Sequence, residues 1–253
     1  MHPSATSRPT PEPRVIGAIP ARYGSTRLPG KVLREIAGRP MIEHVWERAR
    51  RAEGLSAVTV LTDDERVAEA VAAFGGTVEL TPAHCASGTD RIAWAARRWE
   101  AEGVVNIQGD EPLIDPAAIS RLARHLAAGT GDAMVTLAAP AAPGDLENPD
   151  VVKVVTGVDG RALYFSRAPI PHRRAGADSR PAALRHIGIY GYRRDTLLRL
   201  AALERTPLER AESLEQLRAL ENGIDIRVLF VESGWPGVDT MDDLEAVERL
   251  LAR

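Results

Sequence analysis

Short apolar runs alternate with amphipathic segments along most of this chain. The runs are rich in valine and isoleucine, and in the segments between them apolar side chains recur every three or four positions, as on one face of a helix. This alternation predicts an α/β protein with a mostly parallel sheet whose strands are connected by helices. The predicted strands are 15–19, 57–62, 77–80, 104–108, 133–139 and 224–231, and the predicted helices are 40–53, 65–74, 88–99, 116–127, 207–220 and one that begins at 240.

The alternation changes at about residue 148. Two β-prone runs, 151–155 and 161–165, flank Gly157-Val158-Asp159-Gly160, which is typical of a hairpin turn. A further β-prone run follows at 185–192, so we predict that 148–192 is an antiparallel insertion that closes over a site. The proline-rich residues 1–13 are predicted to be a disordered leader, and 14–253 to form one domain.

The composition narrows the functional classes. With 253 residues, of which 44% are hydrophobic, the chain is long enough for one α/β domain with an insertion. Its net charge of −3 provides no basic field, so we expect no nucleic-acid partner. The single cysteine excludes a disulfide framework or a multi-thiolate metal site within one chain. Because no apolar run reaches membrane-spanning length and no secretory signal is recognisable, we expect a cytoplasmic protein without a membrane anchor.

The loop that follows the first strand carries the clearest chemical signal. It reads Ile-Pro-Ala-Arg-Tyr-Gly-Ser-Thr-Arg-Leu-Pro-Gly-Lys over 19–31, and its glycines allow the backbone to bend closely around a ligand. Its three cations are Arg22, Arg27 and Lys31. They would neutralise a nucleoside triphosphate, with arginine gripping two oxygens and lysine acting as a point charge. The spacing matches no standard phosphate-binding motif, so a solvated basic loop is an equal alternative.

Two aspartates at predicted strand ends are candidate metal ligands. Asp110 follows the strand 104–108, at the edge where open α/β sheets bind ligands. Asp239 lies in Gly237-Val238-Asp239-Thr240, before the last helix, and from spacing alone it is more often a turn former. The segment that begins at Ser87 starts another helix, where free N–H groups would bind an anion or ribose hydroxyls, although a simple helix cap is equally plausible.

Seven blocks of the sequence, taken in order, resemble those of the 3-deoxy-manno-octulosonate (Kdo) cytidylyltransferases. They are Ile19–Lys31, Ser87–Arg91, Gln108–Pro112, Ala162–Arg167, Arg185–Tyr192, Glu215–Arg218 and Gly237–Thr240. Each block alone is a weak signal, but seven in the family order are specific. The resemblance changes the interpretation of Asp239 from a turn former to a metal ligand.

This resemblance implies a Rossmann-like α/β nucleotidyltransferase in which the antiparallel insertion binds the acceptor. The implied enzyme uses CTP and Mg²⁺ to convert Kdo, a sugar acid, into CMP-Kdo and pyrophosphate for lipopolysaccharide biosynthesis. Members of the family are usually dimeric, so a homodimer is expected.

The resemblance also assigns roles to individual residues. The catalytic residues would be Arg22, Lys31, Asp110 and Asp239, and the two aspartates would coordinate the metal. The nucleotide would be bound by Ala21, Arg22, Ser25, Arg27, Lys31, Ser87, Gly88, Thr89 and Asp110. The acceptor would be bound by Gln108, Arg167, His186, Tyr190, Glu212, Glu215 and Gln216.

Within the acceptor set, Arg167 is the candidate for the substrate carboxylate, because its planar fork matches that group. His186 invites a general-base role, but a histidine in a β-prone run is more often a structural donor or a substrate hydrogen-bonding group. Both interpretations of His186 are open at this point.

Three other functions are weighed against this one. A related cytidylyltransferase would activate another acid, such as 8-amino-Kdo or a phosphonate, because Cys85 and Gly234-Trp235-Pro236 depart from the usual family pattern. A nucleotide-binding protein without catalysis is disfavoured by the joint presence of the four catalytic residues. A nicotinamide-dependent dehydrogenase is weaker still, since no G-x-G-x-x-G follows the first strand.

Overall fold

A computed structural model describes residues 14–24, 28–172 and 183–251. Its strands are β1 Val15–Pro20, β2 Glu35–Ile36, β3 Arg39–Pro40, β4 Ala57–Thr62, β5 Val78–Leu80, β6 Gly103–Asn106, β7 Met134–Pro140, β8 Lys153–Thr156, β9 Ala162–Ser166, β10 Leu184–Arg193 and β11 Ile226–Phe230. Its α-helices are α1 Met41–Arg50, α2 Glu65–Ala73, α3 Gly88–Ala96, α4 Pro116–Ala127, α5 Arg194–Ala201, α6 Pro207–Glu212, α7 Gln216–Glu221 and α8 Met241–Leu251. The predicted leader, 1–13, lies outside the described residues.

One sheet contains nine of the strands in the described ranges, with the main order β11-β7-β10-β6-β1-β4-β5. Neighbours in this order are parallel except where β10 pairs with β6 and β7, to which it is antiparallel. The prediction of a mostly parallel sheet is therefore confirmed. Because β1, β6 and β11 point the same way, the loops that follow them meet at one edge of the sheet.

The antiparallel part of the molecule is built on β10. The predicted hairpin is present as β8 and β9, and β8 pairs with the first residues of β10. The other strand of the predicted insertion, β10 itself, is also a central strand of the main sheet. The insertion is thus anchored in the same sheet whose edge carries the loops after β1 and β6.

Helices cover both faces of the sheet. Helices α1, α2 and α4 pack apolar residues on one face, in a core that includes Ile42, Val67 and Leu122. Helices α3, α5 and α7 cover the other face, with Ile92 and Leu197 among the buried side chains. This three-layer packing is that expected from the alternating pattern. Among the described helices, none has the length and apolar character needed to cross a bilayer.

The prediction of a single helix over 207–220 is wrong. The structure has two short helices there, α6 and α7, which are separated by Ser213 in the left-handed conformation with a φ of 53°. The break lets Arg218 of α7 turn back to Glu209 of α6, with Nε and Nη2 donating to the carboxylate at 2.8 and 2.6 Å. This buried ion pair depends on tertiary contacts, which a periodicity argument does not include. Helix α5 was also not predicted.

Candidate active site

The loop after β1 returns to the strand end through a short 3-10 helix, Lys31–Leu33. Gly30 precedes it with a φ of 67°, and a Cβ at this position would lie 3.2 Å from the Tyr23 ring. Glycine is therefore required both for the left-handed backbone and for the close approach. As a result Lys31, with only 9% of its surface exposed, is held inside the edge of the sheet.

Lys31 joins the two predicted metal ligands. Its Nζ lies 2.6 Å from Oδ2 of Asp110 and 3.0 Å from Oδ1 of Asp239. The backbone supports the same arrangement, because Val238 N donates to the Asp110 carbonyl at 2.9 Å. Burial lowers the pKa of Lys31, but the attraction and hydrogen bonds of Asp110 and Asp239 outweigh it, and its pKa is raised. The ammonium is therefore charged at neutral pH and neutralises part of the carboxylate charge.

These three residues lie in a cleft of about 450 Å³ at the carboxyl edge of the sheet. The residues that line it are Pro20, Arg22, Gly24, Lys31, Val32, Gly88, Gln108, Gly109, Asp110 and Asp239. A Cβ on Gly88 would lie 3.1 Å from the Pro20 side chain, and one on Gly109 would lie 3.0 Å from the Pro20 carbonyl oxygen. Both glycines thus allow their loops to close onto the end of β1 and narrow the cleft.

The other residues of the predicted nucleotide set are placed differently. Arg22 is exposed at the cleft and donates to the Cys85 carbonyl at 3.4 Å. Ala21 is fully buried in the core, and its backbone N–H donates to the Leu61 carbonyl at 2.8 Å. Ser25 and Arg27 lie outside the described residues.

The start of α3 combines a cap with a link to another part of the site. Ser87 and Asp90 form a capping box, in which Asp90 N donates to Ser87 Oγ at 3.0 Å and Ser87 N donates to Asp90 Oδ2 at 2.9 Å. The cap interpretation of Ser87 is confirmed. Thr89 Oγ1 donates to Glu215, which joins a predicted nucleotide residue to a predicted acceptor residue. Burial raises the pKa of Glu215, against the opposing effect of the Thr89 hydrogen bond.

Arg167 and Glu212 form a network of their own. The Arg167 guanidinium donates to the carbonyls of Glu212 and Pro149, each at 2.9 Å. The Glu212 carboxylate accepts from Ser166 Oγ at 2.6 Å and from the Arg167 backbone N–H at 2.9 Å. Glu212 therefore positions Arg167, and the Nη2 atom of the guanidinium takes part in neither of these two hydrogen bonds.

The imidazole of His186 lies among aromatic rings. Its ring centroid is 4.9 Å from that of Phe165 and 5.4 Å from that of Tyr190, and Nε2 is 2.9 Å from Thr136 Oγ1. Burial lowers the pKa of His186 to about 3, so the imidazole is neutral at physiological pH. This favours the hydrogen-bonding interpretation over the general-base one.

The remaining acceptor residues are tied into the protein. Gln108 Nε2 donates to the carbonyl of Gly188, at the irregular point of the β10–β7 pairing. Gln216 is buried at the start of α7. Burial raises the pKa of the Tyr190 hydroxyl well above its ordinary value.

Sequence reasoning missed two structural pairings next to the site. Arg91 is fully buried and lies 3.0 Å from Asp63, so it ties α3 to the end of β4. Trp235 Nε1 donates to Glu111 Oε2 at 2.7 Å, which connects the loop after β11 to the loop after β6. Burial raises the pKa of Glu111 to about 7, although the Trp235 hydrogen bond opposes this. The motif Ser87–Arg91 contained a signal for Arg91, whereas nothing local to Glu111 indicates its partner.

Asp110 and Asp239 have donor chemistry that fits Mg²⁺. The described residues contain no cluster of three or more acidic, histidine or cysteine side chains able to hold a metal. Magnesium needs fewer protein ligands than that, because it commonly takes one or two carboxylates and completes its shell with phosphate oxygens and water. Oxygens of both aspartates already contact a single cation, the Lys31 ammonium, within 3.0 Å. The pair thus suits a metal that arrives with a phosphate ligand.

Known sequences and structures include several that are similar to this chain over most of its length. A cytidylyltransferase family model matches residues 16–226. The chain is 55% identical, over 92% of its length and 96% of the relative's, to a 3-deoxy-manno-octulosonate cytidylyltransferase of Anaeromyxobacter dehalogenans strain 2CP-C. It is 50% identical to the protein of the same name from Geobacter metallireducens, over 95% and 98% of the two chains. A solved structure of CMP:2-keto-3-deoxy-manno-octonic acid synthetase complexed with CTP is 44% identical, with a TM-score of 0.90 over 94% of this chain and 98% of the other.

Proposed function

The chain belongs to the 3-deoxy-manno-octulosonate cytidylyltransferase family, and we propose that it transfers CMP from CTP to Kdo, forming CMP-Kdo and pyrophosphate. One observation carries the proposal. Lys31, Asp110 and Asp239 converge in a cleft at the carboxyl edge of the sheet, in a chain that is 44% identical to a synthetase complexed with CTP.

The cleft has the groups that a nucleoside triphosphate requires. Arg22 and Lys31 provide positive charge in the cleft, which Gly24 and, at the amino end of α3, Gly88 also line. Helix N-termini and cations both stabilise phosphate oxygens. Gly88 and Gly109 let these loops pack closely against Pro20 at the end of β1, since a Cβ at either position would lie within 3.1 Å of that residue.

We propose that Asp110 and Asp239 hold Mg²⁺ when CTP binds. The bound ion would offset charge on the phosphates and lower the pKa of the attacking hydroxyl. The two aspartates come from loops after different strands, so their separation is set by the sheet and by the Val238–Asp110 backbone hydrogen bond.

The reaction is an in-line displacement at the α-phosphorus of CTP. The oxygen of the anomeric C2 hydroxyl forms the new O–P bond, the bond from phosphorus to the pyrophosphate oxygen breaks, and the hydroxyl proton is released to water. Arg22 and Lys31 stabilise the charge that builds on the departing pyrophosphate. A neutral His186 and the guanidinium of Arg167 would orient the sugar acid by hydrogen bonds, since His186 is too weak a base to remove the proton.

A pyrophosphate-release assay tests the proposal. Purified protein with Mg²⁺ and CTP is offered Kdo, 8-amino-Kdo and small phosphonates in separate reactions. Release with Kdo at a much higher kcat/KM than with the other acids supports the proposal. If pyrophosphate is released only with another acid, that acid and not Kdo is the acceptor. If CTP binds but no acid supports turnover, the protein is a non-catalytic nucleotide-binding protein.

The proposal includes a cytoplasmic homodimer that supplies activated sugar acid for lipopolysaccharide. Analytical ultracentrifugation at micromolar concentration measures the dimer directly. A sedimentation coefficient of a monomer across that range would remove the dimer and leave the proposed reaction untouched.

A further inference from the structure

Lys31 contacts two residues that it would have to leave when a metal binds. Its ammonium donates to Asp110 and Asp239, and these are the carboxylates to which the proposed function assigns the metal. An ammonium and a divalent cation compete for the same oxygens, because each neutralises the same negative charge.

The lysine is placed in this position by the fold. The left-handed Gly30 and the 3-10 helix fix its backbone, and the Lys31 N–H donates to the Leu28 carbonyl at 3.0 Å. Only the side chain is adjustable, since four methylene groups separate the ammonium from the backbone. A change of rotamer therefore moves the charge without moving the loop.

The same cleft offers the ammonium a second set of partners once a nucleotide is bound. Lys31 lines it together with Arg22, Gly24 and Gly88, the residues that the proposed function places around the phosphates. A triphosphate brings several anionic oxygens to within reach of the ammonium, so leaving the aspartates does not leave the ammonium unpaired. Without a nucleotide, no such compensation exists, and a buried ammonium that loses its partners pays a large desolvation cost.

We infer that Lys31 is an exchangeable counter-ion, which blocks the two aspartates against free divalent cations and moves to the phosphates when the nucleotide enters with its metal. The inference rests on the proposed metal role of Asp110 and Asp239. It predicts that the metal binds poorly to the free enzyme and well only together with CTP. It also gives Lys31 two successive roles, the second of which is the stabilisation of pyrophosphate.

Metal binding without nucleotide tests this exchange. Mn²⁺, whose free concentration is read by electron paramagnetic resonance, is titrated into the wild type, Lys31→Met, Lys31→Arg and Arg34→Met. Methionine keeps much of the side-chain length and removes the charge. Arg34→Met is the matched control, because Arg34 is an exposed cation three residues from Lys31 and is not among the residues that line the cleft.

We expect Lys31→Met to bind Mn²⁺ about tenfold more tightly than the wild type, a factor typical of losing one competing charge-assisted hydrogen bond. Lys31→Arg and Arg34→Met should bind Mn²⁺ as the wild type does. For CTP the order of affinities should be the opposite: Lys31→Met should bind the nucleotide more weakly than the wild type does. If Lys31→Met binds Mn²⁺ no more tightly than the wild type, the exchange is overturned.

Two further readings keep the test decisive. Thermal melting with and without Mn²⁺ shows whether Lys31→Met is folded, and the metal should raise its melting temperature more than that of the wild type. The titration uses neither Kdo nor turnover, so a failure of the proposed reaction would appear in the pyrophosphate assay and not here. Loss of the Mn²⁺ site in the double variant Lys31→Met/Asp110→Asn would confirm that the gain arises at these carboxylates, and its persistence would overturn the inference.

Discussion

The two halves of the site differ in how their polar groups are satisfied. On the proposed nucleotide side, Lys31 pairs with Asp110 and Asp239 in an open cleft. On the predicted acceptor side, charges are held by the protein itself, as in the Ser166–Glu212 contact and in the Arg218–Glu209 pair, whose Arg218 also lies 3.7 Å from Glu215. The first arrangement can be exchanged for ligand contacts, whereas the second is part of the framework.

This difference indicates where substitutions should affect chemistry and where they should affect stability. Changes on the nucleotide side should lower turnover with little effect on folding. Changes in the acceptor framework should lower the free energy of unfolding or the acceptor affinity while the nucleotide contacts persist.

The largest effect is expected at the two aspartates. Asp110→Asn and Asp239→Asn each remove an anionic ligand from the proposed metal site, and kcat should fall by about 10² to 10³-fold, as for the loss of one transition-state contact. Steady-state kinetics at saturating CTP and Kdo measure this. The control is Asp115→Asn, because asparagine replaces aspartate well as the N-cap of α4. Normal turnover in either site variant would remove that residue from the site.

The next effect is on stability, at the ion pair between α6 and α7. Glu209→Gln leaves the buried Arg218 guanidinium without its main counter-charge, and the free energy of unfolding should fall by about 3 kcal/mol. Urea unfolding at pH 7 measures it, with Glu53→Gln as the control, since its pair with Arg124 is solvent-exposed.

The same pair predicts a pH dependence. Hydrogen bonds from Arg218 outweigh the effect of burial and lower the pKa of Glu209 in the folded protein. The unfolded chain therefore takes up the proton first, so the contribution is present above the ordinary glutamate pKa and is lost as the pH falls through the lower, folded value. The free energies of unfolding of the wild type and Glu209→Gln, plotted against pH, should converge at acidic pH. A constant difference between the two free energies, down to the lowest pH at which both proteins are folded, would contradict this.

A smaller effect is expected at His186. Because burial lowers its pKa to about 3, its imidazole signals in NMR should not titrate between pH 5 and 8. His186→Gln should raise the KM for Kdo by up to about tenfold, the cost of a lost hydrogen bond, with the KM for CTP unchanged. A loss confined to kcat, with an inflection near pH 6.5 in the wild type, would restore the general-base role.

The smallest effect is expected at Trp235. Trp235→Phe removes the hydrogen bond to Glu111 but keeps an aromatic ring, so the loop that carries Asp239 is held less firmly against the Asp110 loop. The KM for Mg²⁺·CTP should rise by about two- to tenfold, and the pKa of Glu111 should rise above its value of about 7, because this bond lowers it. Trp94→Phe is the control and should change neither quantity. An unchanged KM for Mg²⁺·CTP would show that the Trp235 hydrogen bond does not contribute to nucleotide binding.

The convergence of Lys31, Asp110 and Asp239 could be predicted in part from sequence, because they lie in the segments that follow β1, β6 and β11, and parallel strands end at a common edge. For Asp239 the family resemblance was also needed, since spacing alone favoured a turn former. The alternation of apolar runs likewise predicted the sheet and most helices. The acceptor side depends on pairings across long sequence separations, such as Thr89 with Glu215, and periodicity does not reveal these.

Two residues, Ser213 and His186, show what could not be predicted from the sequence. The left-handed Ser213 divides a predicted helix because Glu209 and Arg218 pair across the break. The sequence left two interpretations of His186 open, and its burial beside the Phe165 and Tyr190 rings, which lowers its pKa to about 3, favours the hydrogen-bonding one. In both cases the deciding contact lies in the tertiary structure.

Phosphorus-31 NMR of CTP and Kdo with Mg²⁺ and the wild-type enzyme tests the central claim most directly. We predict that the three CTP signals are replaced by pyrophosphate and one phosphodiester signal, at a rate that depends on Kdo and falls to near zero with Asp110→Asn. Persistence of the CTP signals, or conversion to free CMP at the same rate without Kdo, would contradict transfer of CMP to the sugar acid.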